Sequence, residues 1–189
     1  MDIGSCVEEL RQTMIGAGLS YDVWRVYTNP PERKEYRATM NRYALFFAIS
    51  IHAHFVAMLV ALYRVYETRD DTYNIPTLLR HVRREKILPE SVIDKLDEKY
   101  KTVKPLWVKV GILRNEAFAH KTVEANSDEI FKKANVTPDQ VRELIKATKD
   151  LLNEFSQAWK RDTHAFNLNA TNDTIALLQD LKSIKYSVS

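Results

Sequence analysis

The sequence predicts an all-α protein, and three observations support that class. The chain has only 4 Gly and 6 Pro in 189 residues, too few for a β protein rich in turns. No run alternates apolar and polar residues for long enough to build a sheet. Apolar residues instead recur at helical spacing, most clearly after Thr137. We expect one domain over 1–189, with an N-terminal helix and connector over 1–28, a core bundle over 29–168, and a C-terminal helix and tail over 169–189.

Four predicted helices start at or beside a proline. Proline suits the first turn of a helix because it lacks the N–H that this turn leaves unbonded, and Asn beside it can cap the helix. The predicted spans are 29–68, 74–85, 89–105 and 105–121. The boundary between the last two lies at Pro105, since proline in a helix interior removes a backbone hydrogen bond.

The clearest helix begins at Thr-Pro-Asp-Gln, residues 137–140, which has the pattern of a capping box with proline in the first turn. A polar connection over 124–136 precedes it, and a weaker helix is predicted over 172–183. The apolar stripe of the clearest helix consists of Val141, Leu144, Ile145, Leu151, Leu152, Phe155 and Trp159.

One stretch is apolar enough to suggest a membrane. Residues 44–63 contain no Asp, Glu, Lys or Arg, and a helix of this length spans a bilayer at about 1.5 Å per residue. His52 and His54 near its centre, and the charged helices elsewhere, favour a central helix buried on most sides of a bundle. We therefore expect no stable membrane association, and a membrane-attached helical protein is the alternative.

Composition excludes several function classes. A single cysteine, Cys6, leaves no internal disulfide and no multi-cysteine metal site. The sequence has no Gly-rich phosphate loop, no nucleophile elbow and no His-Glu-x-x-His run. A net charge of +3 permits an anionic partner without requiring one. No signal peptide pattern is visible at the N-terminus, so we expect a cytoplasmic protein. Because the motifs above are missing, we also expect no metal and no cofactor.

The residues best suited to chemistry lie together in one short segment. Arg114, Asn115, His120 and Lys121 fall within eight positions. Arginine offers a fork of donors to phosphate oxygens, and histidine can take and return a proton near neutral pH. These groups suit metal-free RNA cleavage, in which the ribose 2′-hydroxyl loses a proton, the 5′-oxygen gains one, and the phosphorane needs charge stabilisation.

The spacing of these residues adds a geometric condition. On a regular helix Arg114 and His120 lie about 120° apart and about 9 Å apart along the axis, so they do not share a face. A site is easier to build where two protomers place these helices side by side, and we predict a dimer with a shared cleft. Glu116 lies four residues before His120 on the same face, where a carboxylate would repel phosphate unless it pairs with Arg114 or Lys121.

The order of features resembles the HEPN superfamily, and most of all its AbiU2-type abortive-infection branch. A long apolar helix and a basic connector are followed by Leu-Arg-Asn, three residues, and Ala-His, with the likeness covering about 29–161. The family motif is Arg, a polar residue, and His after four to six intervening positions, which Arg114, Asn115 and His120 match.

The resemblance implies an all-helical bundle, a homodimer with two facing motifs, and metal-independent endoribonuclease activity of a toxin or antiphage effector. His120 would transfer protons, Arg114 would bind the scissile phosphate, and Asn115 would orient one of them. A cognate antitoxin protein is a possible partner. Some members of the family do not cleave, so a HEPN module that binds RNA or a partner protein is the alternative.

Two basic clusters offer further RNA contacts. Arginines on the 74–85 helix form one cluster, and lysines around Trp107 form the other. Such groups can follow an RNA backbone while an aromatic ring stacks on a base, although nearby carboxylates equally suit a solvated helix face. The predicted RNA contacts are Arg80, Arg83, Arg84, Lys104, Trp107, Lys109 and Lys121.

Overall fold

The chain folds into helices, which confirms the all-α prediction. The structure is a computed structural model that describes residues 1–119 and 127–184. Within these ranges there are eight helices and no strand. The helices are α1 (Ile3–Thr28), α2 (Pro30–Arg42), α3 (Ala44–Tyr66), α4 (Ile75–Arg84), α5 (Glu90–Ala119), α6 (Ser127–Ala134), α7 (Pro138–Lys160) and α8 (Thr171–Ser183).

Four long helices surround the main core. α1 packs against α3 and α7, and α5 closes the ring by packing against the same two helices. Leu10 and Met14 of α1 and Leu59 and Leu62 of α3 are at most 1% exposed, and burial of each such side chain stabilises the fold by about 1.5–3 kcal/mol. The N-terminal helix is therefore part of the bundle.

The helix predicted over 29–68 is two helices. At Tyr43 the backbone leaves the helical region, with φ −116° and ψ 43°, and this break separates α2 from α3. Tyr36 and Met40 of α2 then join Phe47 and Leu178 in a second, smaller core. The sequence has no Gly or Pro at this break, which therefore could not be predicted locally. We attribute the break to the packing of α2 against α1 and α8.

The two helices predicted on either side of Pro105 are one helix, α5. Pro105 cannot donate to the carbonyl of Lys101, but both residues are exposed and water can satisfy that carbonyl. The rings of Tyr100 and Trp107 each lie 6.0 Å from the ring of Tyr66, so both halves of α5 are held against α3. This packing offsets the cost of the internal proline, which is about 3 kcal/mol.

The capping predictions are confirmed for α4 and α7 but are wrong for α2, where the Asn29 side chain makes no capping hydrogen bond and its amide donates to the Glu32 carboxylate instead. The Asn74 side chain accepts a hydrogen bond from the Thr77 backbone N–H at 2.8 Å and begins α4. Thr137 and Gln140 form the capping box that begins α7, and the apolar stripe of α7 enters the core. The polar connection predicted over 124–136 was wrong in one respect, because it contains α6.

The apolar helix α3 is buried on one face only, so the prediction of burial on most sides is wrong. The opposite face leaves Leu45 81%, Ile49 69% and Val60 47% exposed. Among the described helices, α3 is the one that is long and apolar enough to span a bilayer. Its most apolar 18 residues have a mean hydropathy of 2.2, and 28% of them are buried. α3 therefore leaves an apolar face uncovered within the described residues.

Candidate active site on α5

Arg114 is positioned by a side chain from another helix. Its guanidinium carbon lies 3.7 Å from the centre of the Tyr63 ring on α3, close enough for a cation–π interaction. The preceding residue, Leu113, is fully buried and fixes the rotation of α5 at this point. Arg114 is half-buried, so its position is determined by packing as well as by charge.

Asn115 provides the second contact to the same guanidinium. Its side-chain oxygen accepts hydrogen bonds from Nε of Arg114 at 3.2 Å and from Nη2 at 2.8 Å. In the described part of the chain no carboxylate lies within salt-bridge distance of Arg114. The guanidinium therefore keeps a charge that an anionic ligand can neutralise.

Glu116 turns toward α6. Its carboxylate accepts a hydrogen bond from the Lys133 ammonium at 3.2 Å. This contact reduces the negative charge that Glu116 presents to a phosphate at Arg114. Of the two pairings weighed for Glu116, the one with Arg114 is not observed, since Asn115 contacts the guanidinium. The other, with Lys121, falls outside the described residues.

Two residues of the predicted site, His120 and Lys121, lie outside the described residues. α5 is described through Ala119, so the motif is seen up to the residue before the histidine. The role of His120 in proton transfer and of Lys121 in RNA binding stay predictions.

Apolar surface borders the site. Val60 is one helical turn from Tyr63 on α3, and Ile112 is one turn from Asn115 on α5. Val60 is 47% exposed and Ile112 is 43% exposed. The Arg114 guanidinium thus lies at the edge of the same uncovered apolar surface that α3 presents.

A comparison with models of known protein families shows the family of this chain. The family model HEPN_AbiU2, described as AbiU2, matches residues 2–177. The chain belongs to the AbiU2 family of HEPN proteins. No curated protein and no solved structure gives a significant match.

In this AbiU2 protein the arginines of α4 are neutralised by neighbouring carboxylates. Arg80 pairs with Asp70 at 2.6 Å and Arg84 pairs with Glu85 at 2.8 Å. Arg83 contacts three carboxylates, those of Glu90, Asp94 and Asp97, at 2.8, 2.9 and 2.6 Å. Their role in RNA binding stays a prediction, and each would exchange a carboxylate for a phosphate.

The cluster around Trp107 divides in the AbiU2 fold. The Trp107 ring packs among Tyr63 and Tyr66, and its indole N–H is buried with no hydrogen-bond partner in the described residues. The ring is half-buried in the bundle, which limits its access to a base. Lys104 is exposed, and Lys109 turns to the opposite side of α5 into a separate cleft.

That cleft contains cations that the sequence analysis missed. It has a volume of about 1010 Å³, and its described lining has six cationic side chains and no carboxylate. The clustering of Arg33, Lys34 and Arg37 on one helix was visible in the sequence. The other contributors come from separate helices and meet only in the folded bundle. The six cations are Arg25, Arg33, Lys34, Arg37, Lys109 and Lys132.

The described residues contain no group of three or more His, Cys, Asp or Glu side chains arranged to hold a metal ion. The two histidines of α3 have different environments. His52 is exposed, whereas His54 is half-buried and its desolvation lowers its pKa. Two such histidines point about 200° apart on a helix.

Proposed function

We propose that this AbiU2 protein is a metal-independent endoribonuclease that acts in the cytoplasm as a toxin or antiphage effector. The observation that carries the proposal is the state of Arg114. Its guanidinium lies within the family motif, is held by Tyr63 and Asn115, and has no carboxylate partner in the described chain. A positioned cation without a counter-ion suits a phosphate group.

The proposed reaction is attack by the ribose 2′-hydroxyl on the adjacent phosphorus. The hydroxyl gives its proton to a base and forms the new P–O bond, the bond to the 5′-oxygen breaks, and that oxygen takes a proton. His120 is the residue of the motif that can move these protons near neutral pH. Arg114 would hold the non-bridging oxygens and stabilise the charge of the phosphorane. The products are a 2′,3′-cyclic phosphate and a 5′-hydroxyl.

We further propose that a second copy of the chain covers the apolar surface of α3. Residues 44–63 have no charged side chain, so two copies can meet there without burying an ion. The exposed residues Leu45, Ile49, Ala53 and Val60 follow one another at helical spacing, which suits a two-fold symmetric contact. This arrangement would bring two motifs to one cleft, as the resemblance implies.

The experiment that tests the proposed function compares RNA cleavage by three proteins in excess chelator: wild type, Arg114→Ala and Arg142→Ala. The last is the matched control, because Arg142 on α7 is an arginine that pairs with Asp139, lies outside the motif and is not predicted to contact RNA. Cleavage by wild type and by Arg142→Ala, with loss in Arg114→Ala, would support the proposal. Equal cleavage by all three would contradict it, and no cleavage by any would favour the binding module.

A further inference from the structure

A basic cleft lies on the bundle away from the Arg114 site, and we define it by its six cations. They come from four helices that the fold brings together. Arg25 is in the last turn of α1, Arg33, Lys34 and Arg37 are on α2, Lys109 is on α5, and Lys132 is on α6. A chain with a net charge of only +3 thus concentrates positive charge in one concave surface.

The charges of the cleft are not balanced by the protein. None of the six cations lies within salt-bridge distance of a carboxylate in the described ranges, in contrast to the arginines of α4. The two carboxylates of α2 are engaged elsewhere: Glu32 accepts a hydrogen bond from the Asn29 amide, and Glu35 pairs with Lys182 of α8. Like charges held together in a concave surface attract anions strongly.

The neutral part of the lining indicates which part of an anionic ligand the cleft contacts. Trp24 and Phe131 lie beneath the cations with ring centres 5.6 Å apart, but they are only 3% and 8% exposed. Rings so covered cannot stack on bases. The side-chain amide of Asn135 stands at the wall, where it can donate to a phosphate oxygen, whereas the Thr28 hydroxyl already donates to the Trp24 carbonyl at 2.8 Å. Recognition in this cleft is therefore through phosphates and not through bases.

We propose that the basic cleft binds the phosphate backbone of single-stranded RNA, as a site separate from Arg114. The RNA identity of the ligand rests on the proposed function, whereas the preference for several phosphates rests on the cleft itself. Lys109 precedes Arg114 by five residues on α5, about 7.5 Å along the helix axis and about 140° around it. A strand held in the cleft therefore contacts a different face of the helix that carries the motif.

The first test measures binding of a labelled single-stranded RNA to His120→Ala protein over a series of salt concentrations. Into this background we place Arg33→Ala with Arg37→Ala, both exposed on α2 and so removable without loss of core packing. We expect at least a tenfold weaker affinity at low salt, and a slope of log affinity against log salt reduced by about 1.4, because each phosphate contact on a single strand contributes about 0.7.

The matched control is Arg69→Ala with Arg142→Ala, which removes the same charge from exposed arginines that pair with carboxylates and are not predicted to contact RNA. We expect this control to bind within twofold of the parent. Equal losses of affinity in both double variants would overturn the proposal that the cleft binds RNA and would indicate a general charge effect. Unchanged binding in the Arg33 and Arg37 variant, with its helical circular dichroism intact, would also overturn it.

Two further measurements separate the sources of phosphate and the two proposals. Inorganic tripolyphosphate that binds stoichiometrically, while the RNA does not bind, would overturn the RNA assignment in favour of a free polyphosphate ligand. The second measurement uses protein that retains His120. In that protein, Arg33→Ala with Arg37→Ala should raise KM and leave kcat unchanged, whereas Arg114→Ala should lower kcat. RNA binding that depends on the cleft in a protein without cleavage would refute the proposed function and leave the cleft standing.

Discussion

The guanidinium of Arg114 on α5 lies against the ring of Tyr63 on α3, at 3.7 Å from the ring centre. The arginine of the family motif is therefore positioned by a helix that the motif does not include. Because α3 also carries the exposed apolar surface, the same helix that orients the arginine is available to contact a second copy of the chain. In the proposed dimer, the second copy would therefore contact the helix that positions Arg114.

Substitution of Tyr63 tests this positioning. Tyr63→Leu removes the cation–π contact, which contributes about 0.5–2 kcal/mol, so we expect cleavage to fall roughly two to thirtyfold. Tyr63→Phe keeps the ring and should restore cleavage to within about twofold of wild type, since a phenyl face retains most of the interaction. Equal losses in the two variants would show that the hydroxyl of Tyr63 matters and that the ring does not.

Asn115 provides a test of charge at the same guanidinium. Asn115→Ala removes the acceptor of two hydrogen bonds and should lower cleavage moderately. Asn115→Asp keeps an acceptor but places an anion beside Arg114, where it competes with the substrate phosphate, so we expect a larger loss and a raised KM. Initial rates over a range of RNA concentrations measure both. Full activity in Asn115→Asp would mean that Arg114 does not contact the phosphate.

The apolar surface of α3 predicts the oligomeric state. Light scattering after size-exclusion chromatography without detergent should give the mass of a dimer for wild type and of a monomer for Ile49→Glu, which puts a charge on the surface. Leu168→Glu is the control, because Leu168 is 57% exposed and lies beside residues of α1 and α7 instead of α3. A wild-type protein that requires detergent to remain in solution would instead support the membrane-attached alternative.

Cys6 should be chemically inert in the folded protein. Its side chain is fully buried in α1, and burial raises the pKa of the thiol to about 12, so the thiolate needed for alkylation is scarce at pH 8. We expect iodoacetamide to label Cys6 only after denaturation, as followed by intact mass. Rapid labelling of native protein would show that α1 detaches readily from the bundle.

Local signals predicted the helix starts well. Asn74 and Thr137 cap their helices as expected, because capping depends on residues within one turn. Two predictions were wrong: an unbroken helix through Tyr43 and a helix boundary at Pro105. The reason is the same in both cases, because packing between helices outweighs the local preference, through the second core at Tyr43 and through Tyr66 at Pro105.

The site shows the same division. The motif identified Arg114 and Asn115, which are adjacent in sequence and bonded to each other. Tyr63 has no local signal for its contact with Arg114, since it lies on a different helix. The cations of the basic cleft likewise come from four helices, and only Lys109 was predicted to contact RNA.

The central claim is that this AbiU2 protein cleaves RNA through its motif without a metal, and the ends of the fragments test it most directly. Purified wild type and His120→Ala are incubated with total RNA in excess chelator, and the fragment ends are then analysed. We predict that only wild type cleaves and that its fragments carry 2′,3′-cyclic phosphate and 5′-hydroxyl ends. Cleavage by His120→Ala, or wild-type fragments with 5′-phosphate ends, would contradict the account.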